Sequence, residues 1–168
     1  MLARCQRSLR HLFARGAHRL YDEDSLQRIT QAIGAGERRH RGEILFAVES
    51  ALPVLDAWRG MTARDRALGV FAQLRVWDTH ANNGVLVYLL LADHRIEIVA
   101  DRGLDTLVSA EQWRGVCQVM EERLAADEPE VAAIAGVAAI SDLLAGHFPR
   151  AAGAADDNEL PDSPRILG

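Results

Sequence analysis

The chain contains no lysine: all 19 basic residues are arginine, set against 24 acidic ones. The net charge of -5 excludes a dedicated nucleic-acid binder, because that role needs a broadly basic face. Cysteine is scarce as well. Cys5 and Cys117 are too few for a disulfide framework and lack a CxxC spacing for metal, so they fit a reducing compartment. Aromatic residues make up only 5%, which leaves the core to aliphatic side chains. No uninterrupted apolar run approaches the roughly 18 residues of a membrane span. The first twenty residues lack any acid but hold five arginines, and Arg4, Arg7, Arg10 and Arg15 break up the apolar stretch that a secretory signal requires.

What is present describes one globular unit. The 168 residues are 49% hydrophobic and 26% charged, enough for a single core and too apolar for disorder. Residues 1–21 form a basic amphipathic segment, with Leu2, Leu9, Leu12, Phe13 and Leu20 near helical spacing. Three readings of it stay open: a helix packed on the domain, a surface for anionic lipid, or an organelle transit peptide. Residues 22–149 form the domain. Asp22 caps a helix carrying Leu26, Ile29 and Ile33, with Gly34 and Gly36 expected to end it. The apolar run 44–48, between Glu43 and Glu49, suits a strand covered on both faces. Thr62 opens a second helix, and residues 84–91 predict the central strand. A short turn at Asp93 leads into the alternating strand 95–99. Two helices follow, one capped by Ser109 and Gln112 and one starting near Pro129. Residues 150–168, with Asp156, Asp157, Glu159 and Asp162, predict a flexible acidic tail.

This order gives an α/β fold, a three-layer α/β/α sandwich around a small mixed sheet with an extra N-terminal helix. A helix separates the first two strands, so they should be parallel. The tight turn makes the second pair an antiparallel hairpin. Three segments then meet at one sheet edge: Glu43, the loop from Asp78 through His80 to Asn82 and Asn83, and Asp101. Glu43, Asp78, Asn82, Asn83 and Asp101 are hard oxygen donors suited to Ca²⁺ or Mg²⁺. In the competing reading Asp78 and Asn82 cap turns, Asn83-Gly84 is turn chemistry, and Asp101 pairs with Arg102 or Arg75.

Sharper motifs fail. Cys117 and Arg123 have the Cys-x5-Arg spacing of cysteine phosphatases, but the intervening residues hold no glycine and two acids, so they form a helix and not a phosphate cradle. The six histidines show no HExxH spacing, and no GxSxG, P-loop or GxGxxG occurs.

The segments Gly42-Glu43-Ile44, Asn82-Asn83-Gly84-Val85-Leu86 and Asp101-Arg102-Gly103 occur in an order that resembles the TPM domain family. The match is to its short bacterial form without signal peptide or membrane anchor. The resemblance covers about Asp22 to Pro149 and implies an α/β/α sandwich. For some members it also implies calcium binding and an acid-phosphatase activity. It carries Glu43, Asn82, Asn83 and Asp101 over as site candidates, while Asp78 and His80 rest on the edge argument alone. Two functions follow as expectations. One is a divalent-cation module supporting assembly or repair of membrane-associated complexes; the other is a cation-dependent phosphatase-like hydrolase acting on phosphate monoesters. No nucleophile or general base stands out, which favours the module. The expected setting is cytoplasmic or peripheral to a membrane, with a membrane-associated complex or anionic lipid as partner and no nucleic acid.

Overall fold

The computed structural model describes residues 2–14, 16–151 and 158–168. Arg15, Asp156 and Asp157 therefore lie outside the described residues, as do the side chains of Leu2 and Arg4. The chain runs through α1 (Leu2–Leu12), α2 (Glu23–Glu37), β1 (Glu43–Glu49), α3 (Val54–Arg59), α4 (Ala63–Gln73), β2 (Gly84–Leu90), β3 (Arg95–Ala100), α5 (Ala110–Ala125), α6 (Pro129–His147) and β4 (Arg165–Leu167). The sheet order is β3-β2-β1-β4. β1 and β2 are parallel and β2 and β3 antiparallel, as the connection lengths dictate.

Alternation along the strands sorts the core into two layers. Ile44, Phe46 and Val48 of β1, with Val85, Val87 and Leu89 of β2, join the cluster that includes Ile29, Ile33, Met120, Val137 and Ile140 of α2, α5 and α6. Leu45 and Ala47, with Leu86, Tyr88 and Leu90, face Ala57, Ala63, Ala67 and Val70 of α3 and α4. Every residue of β1 and β2 is buried. That explains why both read as continuous apolar runs.

The helix starts follow the sequence closely. Asp22 accepts a hydrogen bond from the Ser25 N–H, and capping boxes form at Thr62/Asp65 and Ser109/Gln112. Pro129 occupies the first turn of α6. One stop signal misleads: α2 continues through Gly34 and Gly36 to Glu37. Gly36 serves helix packing, since a Cβ there would lie 2.1 Å from Ser141 Oγ of α6. α6 is also the one helix among the described residues long and apolar enough to cross a membrane. Here Ala132, Ala133, Gly136, Val137, Ile140 and Leu144 are buried in the domain.

The expected flexible tail is corrected within its described part. β4 pairs in parallel with β1, Ala47 opposite Arg165 and Glu49 opposite Leu167, and Leu160 is buried among the α3–α4 layer. Arg150 is pinned too, its N–H donating to the Arg39 carbonyl and its Nε to those of Glu37 and His40. The edge of β1 away from β2 offers unpaired backbone groups, and β4 covers those of its last three residues, Ala47 to Glu49.

Candidate functional site

The register of the sheet builds the site. Glu43 pairs with Gly84, and the Asp101 N–H donates to the Gly84 carbonyl at 2.9 Å. Glu43, Gly84 and Asp101 thus form one row across three strands. Glu43 has the parity of Leu45 and Ala47, and Asp101 that of Val99, so the row belongs to the α3–α4 side. Gly84 is needed here because the Val76 carbonyl uses the space of its missing side chain: a Cβ would lie 2.0 Å from that oxygen. A backbone oxygen therefore lies over the row, flanked by two carboxylate-bearing positions.

Glu43, Asn83 and Asp101 are all buried, at 2%, 0% and 8% exposure. Glu43 Oε2 accepts from the Leu160 N–H at 3.1 Å. Asp101 Oδ1 accepts from the Arg102 N–H at 2.7 Å and caps the 3-10 turn 102–104. Its Oδ2 is buried with no hydrogen-bond partner among the described residues. Asn83 donates from Nδ2 to the Arg41 carbonyl at 2.7 Å, and its N–H donates to Thr79 Oγ1 at 3.1 Å. Asn83 Oδ1, like Asp101 Oδ2, is a buried acceptor without a donor among the described residues.

The remaining expected ligands are spent elsewhere. Asp78 is exposed and held in an ion pair by Arg75, three residues before it, so it does not join the buried row. Asn82 has a left-handed backbone, φ 52, and its Oδ1 accepts from Arg102 Nε at 3.0 Å. His80 contributes its backbone N–H to Glu159 at 2.8 Å. Among the described residues, no three His, Cys, Asp or Glu side chains converge in a metal-holding group. What the edge does supply is oxygen: two buried carboxylates, one buried amide and the Val76 carbonyl. Each buried acceptor without a donor costs about 1–3 kcal/mol, a deficit that a hard cation removes.

A family model for the TPM domain matches residues 17–143. The chain belongs to the TPM domain family. A search of curated proteins gives no match. Among solved structures, the TPM domain described here is similar to the BA42 protein of the psychrophilic bacterium Bizionia argentinensis, determined by NMR. The TM-score is 0.75 at 25% identity, covering 86% of this chain and 93% of that one.

The sequence reading missed a second polar group at the same end of the TPM domain. Glu37 and His40 are buried at the entrance to β1; Glu37 Oε1 accepts from the Ile44 N–H at 3.2 Å, and His40 Nδ1 lies 3.0 Å from the Gly42 carbonyl. The run Glu37-Arg38-Arg39-His40 looks like a solvated turn, and Arg38 and Arg39 are exposed, but Pro149 and Arg150 return against Glu37 and His40 through the His40–Pro149 bridge. Cys117 is no hidden nucleophile. Burial, then the charges of Glu121 and Glu97, push its thiol up to about 11, so it stays protonated within α5.

Proposed function

We propose that this TPM domain is a divalent-cation module, binding Ca²⁺ or Mg²⁺ at the Glu43–Asn83–Asp101 end of its sheet. The observation that carries the reading is the pair of buried acceptors, Asn83 Oδ1 and Asp101 Oδ2, that have no donor among the described residues. Asn83 and Asp101 would hold the ion, with Glu43 the nearest further carboxylate in register. When bound, the cation would supply positive charge to an edge of buried oxygens and lock the 79–84 and 101–104 segments together. The two free cysteines support a reducing, cytoplasmic setting. The family resemblance supports action at membrane-associated complexes, by aiding their assembly or repair.

The test is a Ca²⁺ titration followed by amide NMR. Shifts should concentrate on Glu43, Asn83, Gly84 and residues 101–103, and leave the Asp93 turn unmoved. Asp101→Asn removes one negative charge and should weaken the affinity by roughly tenfold. Shifts confined to Asp93, or none at millimolar Ca²⁺, would refute the site. A cation-dependent hydrolysis of an aryl phosphate, lost in Asp101→Asn, would instead make the same edge catalytic.

A further inference from the structure

α1 is mounted on the domain the wrong way round. An amphipathic helix at a protein surface ordinarily buries its apolar face. Here the polar face is buried. Arg7 donates to both oxygens of Asp93, at 2.6 to 3.2 Å, and also to the carbonyls of Ala57 and Met61. His11 accepts the Leu52 N–H on Nδ1 at 3.0 Å, which leaves Nε2 to donate to Asp93 Oδ1 at 3.2 Å. Ser8 is buried beside them. The opposite face carries Leu9, Leu12 and Phe13, exposed at 49%, 59% and 77%. Leu55 and Trp58 of α3, the helix packed against α1, are exposed as well. A mostly apolar cavity of about 720 Å³ beside Phe13 is lined by Leu20, Leu91, Ile96 and Leu124, with Glu121 and Asp127 also on its wall.

We infer that this outward face of α1 docks on an anionic lipid bilayer. Charge selects that occupant. The first twenty residues hold five arginines and no acid in a chain of net charge -5, although Arg7 is turned inward to Asp93. Arg10, 56% exposed at its side chain although 3.6 Å from Asp93, lines the cavity beside Phe13. Apolar side chains fringed by arginine suit the boundary between acyl chains and anionic headgroups. A second copy of this chain fits less well, because a symmetric pairing of the two faces would set one arginine fringe against the other. The polar anchor around Asp93 fixes α1 to the body, so the whole domain would be held at the membrane. This surface surrounds the Asp93 turn, the opposite end of the sheet from the proposed cation site, and the inference stands independently of that reading.

Co-sedimentation with phosphatidylcholine vesicles, with and without phosphatidylglycerol, tests it. The full chain should bind the anionic vesicles, lose binding as salt is raised, and leave neutral vesicles alone. Phe13→Glu and Leu9→Glu alter exposed positions, so both variants should keep the wild-type fold by NMR while binding at least about tenfold more weakly. Absence of binding to anionic vesicles, equal binding to neutral ones, or full binding by Phe13→Glu would overturn the inference. So would a concentration-dependent dimer dissociated by Phe13→Glu without vesicle binding, which would assign the face to a second copy.

Discussion

At the scale of single residues, Gly84 does the most to shape the candidate site. Its register neighbours Glu43 and Asp101 can be buried together only because nothing projects between them except the Val76 carbonyl. Gly84→Ala would force a methyl against that backbone oxygen, which cannot yield as a flexible side chain would. The expected loss is roughly 3 kcal/mol, as for other overpacked cores. Gly115→Ala is the matched control: it lies in α5 with no atom within 4 Å of the added methyl, and should stabilise by about 0.5–1 kcal/mol through helix propensity. Urea unfolding of both variants checks the pair. Equal effects would mean that the Val76–Gly84 contact places no constraint on the edge. A similar dependence on surroundings separates Glu49 from Glu43. Both carboxylates are buried at the ends of β1, but Arg66 grips Glu49 at 2.7 and 2.9 Å and the Tyr88 hydroxyl donates to it at 2.6 Å. Burial, then the bond to Glu49, raises the Tyr88 phenol far above its ordinary value, so it remains a donor. That end of the strand is fully compensated, whereas the Asp101 end keeps an acceptor in reserve.

At the scale of elements, β4 changes what the C-terminal segment is for. Leu160 joins the α3–α4 layer, its N–H donates to Glu43, and Arg165 to Leu167 pair with the last three residues of β1. Burying one leucine and forming a short ladder is worth about 2–4 kcal/mol. Deletion of residues 158–168 should therefore lower the melting temperature by roughly 5–10 °C. A change within a degree or two in differential scanning calorimetry would show that β4 adds nothing to stability. The same deletion takes the Leu160 donor from Glu43, so it should also alter Ca²⁺ affinity if Glu43 belongs to the cation site.

At the scale of the whole molecule, attachment of α1 depends on a neutral histidine beside an ionised aspartate. Burial, opposed in part by the charge of Asp93, holds His11 below its ordinary 6.5. Burial alone would raise Asp93, but hydrogen bonds and charge from Arg7, followed by His11, bring it below 3.8. Both folded values are depressed, so both groups contribute stability at neutral pH and lose it on acidification. His11 acts first, from about 6.5 downward, and Asp93 below its ordinary range. Glu130, lowered from its ordinary 4.5 to about 2 by Arg28 and then Ser25, loses its contribution across that same acid range. The melting temperature should accordingly fall by a few degrees between pH 7 and 5, and fall less in His11→Gln. Thermal melts at fixed ionic strength measure this; parallel curves for the two proteins would remove His11 from the account.

Much of this was legible in the sequence because the signals are local. Caps at Asp22, Thr62 and Ser109, the apolar runs of β1 and β2, and the length of each connection determined helices, strands and pairing directions. Connection lengths also brought Glu43, Asn83 and Asp101 to one edge. Tertiary structure alone decided which polar groups at that edge have partners. Arg75 claims Asp78 and Arg102 claims Asn82 through surface contacts that spacing does not rank. Burial of Glu37 and His40 requires the chain to return more than a hundred residues later. The docking of β4 depends on an open sheet edge, and the orientation of α1 on an aspartate 86 positions from Arg7. Periodicity shows that a helix has two faces. Which one turns inward is set by the strongest partner the folded body presents, and here the partly buried carboxylate of Asp93 outcompetes the apolar stripe.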